Sequence, residues 1–343
     1  MPNHDYSFEL FENLKEIESK IESEASDKKG KKRKEWLIES LQPEYSSSNQ
    51  TEGWYSDFQK LSVHFNMANE NTQKDLRDIY VSILHPKPDQ YFQVPAKTFE
   101  LLNQLIDYNI DIAAFPKYSF FLQFVFTLAK PYLSKDDNDF YIIDNPIRKE
   151  KVFKVPLVSA SSWKGNMRFA LRQHFGVRND DHPSLIPLLG NPRNTENDLR
   201  SGRLLFYPTF LRNIGVEVFN PHSRKNRAGT KPILFEAVPK DISGIFRMFY
   251  FPFDLTGKTD QTQLIVQDLE SISQGLCKMF LTYGFSAKKS LDYGITEKSI
   301  KGTINMSGIA LSNTVPNIPD EFSSFDELSA IFIHLKKEVE ANA

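Results

Sequence analysis

Along the first hundred residues, apolar positions recur every three or four places. Phe8, Phe11, Leu14, Ile17 and Ile21 keep this spacing with Glu and Lys between them, which predicts an amphipathic helix. Further helices are expected over Lys74–Leu84 and Ala96–Tyr108, and a polar loop over Ser46–Gly53. Near residue 116 the pattern changes. Tyr118–Leu128 is aromatic and β-branched and reads as a strand, as do Arg203–Phe210, Pro232–Val238 and Gly244–Phe253, with a later one through Tyr293–Ile304. Ser161–Phe175 returns to helical spacing. Trp163, Met167, Ala170, Leu171 and His174 lie along one side, and Ser161 or Ser162 is the expected cap. Gln261–Tyr283 predicts a long helix with the stripe Leu264, Ile265, Leu269, Ile272, Leu276 and Phe280, and Phe325–Val339 a closing one. Strands mixed with helices predict an α+β class with split-βαβ, ferredoxin-like packing. No internal repeat is visible.

Composition narrows the class. The 343 residues are 40% hydrophobic and 25% charged, which excludes wholesale disorder and allows one large domain or two ordinary ones. The single cysteine, Cys277, excludes an intramolecular disulfide and a Cys-clustered zinc site. The first residues lack the basic-then-apolar order of a secretory signal. The strongest apolar run, Phe120–Ala129, is broken by Gln123 and falls short of the ~20 residues a bilayer span needs. A soluble cytoplasmic protein with no membrane partner is expected.

The net charge of −2 argues at first against nucleic acid. It is, however, the sum of an acidic front over residues 1–115, at −7, and a basic remainder at +5. The stretch from Asp144 to Arg178 alone reaches +6. The distribution, more than the total, bears on the partner. Within the acidic front, the basic run from Lys28 to Lys34 can contact phosphates, although a solvated linker between helices is the plainer reading.

Three segments can carry chemistry. In Asp144-Asn145-Pro146-Ile147-Arg148-Lys149, Asn-Pro marks a turn, so Asp144 is expected on a loop among cations. Such a carboxylate can bind a metal or move a proton on a phosphoester, although an Asp before a turn more often only caps backbone N–H groups. In Ser159-Ala160-Ser161-Ser162-Trp163-Lys164-Gly165-Asn166-Met167-Arg168, small hydroxyl residues open a helix, and Lys164 and Arg168 share a face one turn apart. A helix start of this kind suits a phosphate. In Tyr283-Gly284-Phe285-Ser286-Ala287-Lys288-Lys289-Ser290-Leu291-Asp292-Tyr293-Gly294, glycines allow close approach of backbone to a ligand and the lysines supply phosphate contacts. The order is not that of a Walker loop.

Taken in order, a strand, the Asp-x-Pro loop, the VPLVSASSWKGNMR helix start and the late YGFSAKKSLDYG loop resemble the RAMP superfamily of CRISPR-associated proteins over about residues 116–310. Within it, the segment IIDNPIRKEKVFKVPLVSASSWKG is most similar to the backbone subunits of type III effector complexes. Three features depart from the family pattern. Ser159-Ala160 replaces Pro-Gly, Ser286 and Asp292 replace two glycines, and Ala129-Lys130-Pro131 stands where Gly-Gly is usual.

The resemblance implies a ferredoxin-like, RRM-like domain with insertions over 116–343, a helical extension over 1–115, and an inserted thumb-like hairpin near 212–235. It implies binding to CRISPR guide RNA, paired target RNA and neighbouring effector subunits. It also implies cleavage of the target with Mg²⁺ or another divalent cation, Asp144 being both catalytic residue and metal ligand, which reverses the balance at that position. Arg148, Lys149, Ser161, Ser162, Lys164, Arg168, Gly284, Lys288, Lys289 and Ser290 are the expected RNA contacts. His222, Arg224, Lys225 and Arg227, on a basic segment with no acidic residue, are expected to join them. Two alternatives stay open: a non-catalytic scaffold or capping subunit, and a stand-alone guide-processing ribonuclease that uses His222.

Overall fold

The computed structural model describes residues 6–45, 54–84, 92–94, 96–106, 110–136, 142–180, 182–192, 199–221, 232–309 and 320–342. In chain order the front holds α1 (Tyr6–Ala25), α2 (Gly30–Ser40), α3 (Trp54–Met67), α4 (Glu70–Leu84), β1 (Phe92–Gln93) and α5 (Ala96–Leu105). There follow β2 (Phe120–Thr127), β3 (Leu157–Val158), α6 (Ala160–Phe175), α7 (Leu185–Leu189), β4 (Leu204–Phe206) and β5 (Thr209–Phe210). The rest is β6 (Asn213–Phe219), β7 (Ile233–Ala237), β8 (Ser243–Tyr250), α8 (Gln261–Lys278), β9 (Ser299–Met306), β10 (Asp320–Ser324) and α9 (Phe325–Ala341).

These elements form two compact units, and no single cut at 116 separates them. One unit is Met1–Leu101 with Leu133–Pro156 and Arg212–Pro239; the other is Leu102–Tyr132, Leu157–Leu211 and Lys240–Ala343. Two segments from the back of the chain thus group with the front helices.

In the first unit, Leu14, Ile17 and Ile21 of α1 are buried as their spacing predicts, whereas Phe11 is exposed. The basic run is a linker only at Lys28 and Lys29: from Gly30 onward it is the start of α2. Arg33 explains why. Its Nε donates to Asp75 of α4 at 2.9 Å and its Nη1 to the Ala25 carbonyl at 2.8 Å, which draws the segment down while Leu37 is buried. A small antiparallel sheet runs β1-β6-β7. β6 and β7 pair from Gly215↔Ala237 to Phe219↔Ile233, forming a hairpin. The segment with His222, Arg224, Lys225 and Arg227 lies outside the described residues.

In the second unit, five antiparallel strands lie in the order β10-β9-β2-β8-β4. Strict alternation on β2 turns Phe120, Leu122, Phe124 and Phe126 to one face, where all are at most 1% exposed. Phe246, Met248 and Tyr250 share that face through the β2–β8 register. α6 and α8 cover it. Trp163 of α6 is fully buried, stacks on Phe280 at 5.4 Å, and its Nε1 donates to the Thr209 hydroxyl at 3.1 Å. Burial of each such side chain contributes roughly 1.5–3 kcal/mol, so this aromatic layer is the main source of stability here.

A buried ionic cluster closes the β4 end of this unit. Arg203 donates from Nε and Nη2 to both oxygens of Asp254 at 2.7 and 2.8 Å, and from Nη1 to Asp268 at 2.7 Å. The Tyr250 hydroxyl donates to the same Asp268 oxygen at 2.7 Å. Burial pushes the Asp268 carboxyl up, while the Arg203 bond holds Asp254 below its ordinary value.

Candidate nucleic-acid interface

In the first unit the loop after residue 141 places Asp144. Ile142, Ile143 and Ile147 are buried, whereas the Asp144 side chain is 80% exposed. The apolar neighbours fix the loop and leave the carboxylate in solvent. The backbone is held twice more: Asn145 Nδ2 donates to the Leu234 carbonyl at 3.1 Å, and the Asn145 carbonyl accepts from Glu236 N–H at 2.9 Å.

Beneath this loop Glu236 of β7 is a buried hub. Its carboxylate accepts from the Tyr80 hydroxyl of α4, from Ile147 N–H at 3.0 Å and from the Lys149 ammonium. The charges compensate each other out of contact with water, which makes removal of either one costly. Lys149 is therefore not available to a phosphate, contrary to its sequence reading. It is fully buried, and burial pulls its pKa down against the opposing pull of Glu236. Arg148, one residue earlier, is exposed, and its backbone N–H donates to the Ser134 hydroxyl at 2.9 Å.

Arg77 of α4 completes the loop's surroundings. Its Nε donates to the Ile142 carbonyl at 3.0 Å, its guanidinium lies 5.6 Å from the centre of the Phe65 ring, and its Nη2 is 3.5 Å from Asp144 Oδ1. Arg77, Tyr80 and Glu236 were not evident from sequence, because each lies more than sixty residues from the loop it supports.

In the second unit the start of α6 meets the late loop. Ser159 is the cap, not Ser161 or Ser162: its hydroxyl accepts from Ser162 N–H at 3.2 Å. The hydroxyls of Ser161 and Ser162 each lie 2.9 Å from that of Ser159, giving a cluster of three with Ser161 exposed. Asn166 binds the late loop directly, its Nδ2 donating to the Phe285 carbonyl at 3.0 Å. Asn166 stands inside the SSWKGNMR motif, so its position was legible although its role was not.

Phe285 anchors the late loop. It is 3% exposed and packs at 4.5 Å on Trp163 and at 5.4 Å on Phe126. Gly284 enters at φ +69°, where an added Cβ would collide with the Tyr293 carbonyl. Asp292, standing where the resemblance expects glycine, keeps a left-handed backbone at φ +61°, a conformation Asp tolerates better than most residues. With the loop pinned, Lys288 and Ser290 are exposed and Lys289 is half-buried over Phe169 of α6, 4.1 Å from the ring centre. Phe169 in turn meets Tyr283 edge-on at 5.4 Å. Burial pulls the Lys289 pKa down to about 8.

Lys164 is partly buried, and burial and the nearby Arg168 lower its pKa. Arg168 itself is committed inside the unit, which corrects its reading as a phosphate contact. It pairs with Asp180 and donates from Nη2 to the carbonyls of Leu189 and Gly190 at 2.9 and 3.0 Å. Arg172 binds the same Asp180 at 2.6 Å, so the i, i+4 arginines of α6 clamp an acidic residue of the following loop.

Among the described residues no group of three His, Cys, Asp or Glu side chains is arranged to hold a metal, and no helix is long and apolar enough to cross a membrane. Asp144 offers one exposed hard oxygen donor. That suits a Mg²⁺ ion shared with substrate phosphates and water, and does not suit an ion held by protein alone.

No family model matches the chain. Two curated proteins are similar to it, both called CRISPR system Cms endoribonuclease Csm3. The one from Streptococcus thermophilus is 29% identical over 175 residues, covering 47% of this chain and 77% of the relative. The one from Enterococcus italicus is 24% identical over 148 residues, covering 39% and 67%. A chain in the cryo-EM structure of the Type III-B Cmr-beta bound to cognate target RNA aligns over 78% of this chain and 96% of its own, at 14% identity and a TM-score of 0.48. The curated relatives bear out the resemblance drawn from the motifs.

Proposed function

We propose that this RAMP-superfamily protein, of the kind that builds the backbone of type III CRISPR effector complexes, binds guide RNA and cuts the paired target RNA at Asp144. The observation that carries the reading is the loop itself, with one solvent-facing carboxylate presented between buried isoleucines above a buried ionic hub. The order β9-β2-β8-β4, reached by strand-helix-strand-strand-helix-strand, supports a ferredoxin-like core. The β6–β7 hairpin supports reading residues near 212–235 as the thumb, a stretch whose sequence includes His222, Arg224, Lys225 and Arg227.

Asp144 would accept the proton of a 2′-hydroxyl on the target strand. A divalent cation, held by Asp144 together with RNA phosphates, would neutralise charge on the scissile phosphate. The guide backbone would lie along Ser161, Ser162 and Lys164 of α6 and Gly284, Lys288, Lys289 and Ser290 of the late loop. Arg148 is a separate exposed cation on the loop of Asp144.

Asp144→Ala in the assembled complex should lower target cleavage by on the order of 10²–10⁴-fold with target binding retained. Mapping the cut positions on labelled target checks this. An unchanged cut pattern would leave a non-catalytic scaffold as the function.

The late loop makes a separate prediction. A phosphate stabilises only the charged form of Lys289, whose pKa near 8 lies well below that of an ordinary lysine. Affinity carried by this contact should fade as the pH rises through 8. In Lys289→Arg the charge persists, so RNA affinity should vary less between pH 7 and 9 than in the wild type. Equal pH responses would remove Lys289 from the interface.

A further inference from the structure

We propose that Arg77, contributed by the front helix α4, is a second catalytic residue of the cleavage loop and contacts the scissile phosphate of the target strand. The inference rests on the assignment of Asp144 as the cleavage residue.

Three observations place the guanidinium. Its Nη2 lies 3.5 Å from Asp144 Oδ1, its Nε is tied to the Ile142 carbonyl of the same loop, and the Phe65 ring lies 5.6 Å from it. Backbone bond and ring hold the group where it is before any substrate arrives. The side chain is still 42% exposed, so part of its donor fork faces solvent beside the carboxylate.

The chemistry requires a cation there. A carboxylate and a phosphodiester repel each other, and the repulsion grows as attack places more charge on the phosphate oxygens. A 2′-hydroxyl bonded to Asp144 brings its own phosphorus within about 3–3.5 Å of the attacking oxygen in a reactive geometry. The non-bridging oxygens of that phosphate then fall within reach of a guanidinium 3.5 Å from the same carboxylate. Arginine presents a planar fork suited to two phosphate oxygens, and a donor fixed beforehand stabilises developing charge with little reorganisation.

The step balances without a further reagent except water. The 2′-oxygen forms a bond to phosphorus and its proton passes to Asp144. The bond from phosphorus to the 5′-oxygen breaks, and that oxygen takes a proton from water. The products are a 2′,3′-cyclic phosphate and a 5′-hydroxyl end. Arg77 exchanges no proton and acts only by charge and hydrogen bonds.

The test uses the assembled complex under single-turnover conditions, with target RNA carrying either a normal scissile phosphate or one with a sulfur at a non-bridging position. Arg77→Ala should slow cleavage by on the order of 10²-fold, with complex yield and target affinity within about twofold of wild type. Arg77→Lys should regain part of the rate. Sulfur should slow the wild type more than it slows Arg77→Ala, because the contact it weakens is already gone. If Asp144→Ala abolishes the cut while Arg77→Ala cleaves at full rate, the role of Arg77 is overturned and that of Asp144 stands. If both variants cleave normally, the cleavage assignment itself fails. A slow Arg77→Ala variant with impaired assembly, or with an undiminished sulfur effect, shows a structural arginine and overturns the proposal.

Discussion

Glu236→Ala is expected to destabilise the unit that carries Asp144 by roughly 3–5 kcal/mol, because it removes the carboxylate bonded to a buried lysine. Three donors converge on that carboxylate, from α4, from the Asp144 loop and from Lys149, and all three bonds are buried. Denaturant unfolding should show a lower midpoint with little change in slope. The loss has a pH signature. The Lys149 pKa is already pulled below its ordinary value by burial, and without Glu236 it falls further. The folded state then binds fewer protons than the unfolded one, so stability of the variant should recover as the pH rises from 7 towards 10. Adding Lys149→Met should restore much of the loss, since an apolar side chain of similar length fills the site without a charge. A double variant as unstable as Glu236→Ala would refute the ion-pair account.

Arg203→Met is expected to cost a similar amount, roughly 3–5 kcal/mol, in the sheet-bearing unit. It strips two bonds from Asp254 and one from the buried Asp268. Burial already raises the Asp268 pKa, and Arg203 is among the groups that restrain the rise. Without it the folded state holds a proton on Asp268 to higher pH than the unfolded chain does. Stability of the variant is then fullest at low pH and is lost as pH rises through the raised value. The deficit against wild type should therefore be larger at pH 8 than at pH 5, by urea unfolding at each. A deficit independent of pH would mean that lost packing, not the orphaned carboxylate, explains the effect.

Local patterns in the sequence predicted local structure well. The alternation from Phe120 to Phe126, the α6 stripe and the long stripe of α8 rest on spacings of two to four residues, and these elements formed close to where they were expected. Errors of two to five residues arose at ends: Ser159, not Ser161 or Ser162, caps α6, and α8 stops at Lys278, giving way to a wider turn over Met279–Tyr283. The larger errors concern charge. Lys149, Arg168 and, within the otherwise largely exposed run ending at Lys34, Arg33 were all read as cations facing solvent or phosphate. Lys149 and Arg168 meet carboxylates supplied from elsewhere in their units, and Arg33 within the run meets Asp75. A basic stretch has the same sequence whether its charges face solvent or meet an acid that only tertiary structure supplies. The same reason hid Arg77: nothing near Asp144 in the chain announces a partner from α4.

The order in which the ribosome releases the chain gives the interleaved units a kinetic meaning. The unit bearing Asp144 needs residues 1–101, 133–156 and 212–239 together. Its front helices emerge more than a hundred residues before β6 and β7. At roughly 5–20 residues per second, they wait on the order of ten seconds for those strands. In that interval Tyr80 has no Glu236 to bind, and the apolar flank of α4 that later meets β6 stays open to chaperones or to self-association. Slowing translation after residue 101 should therefore lower the yield of correctly folded chain, whereas slowing it after residue 239 should not.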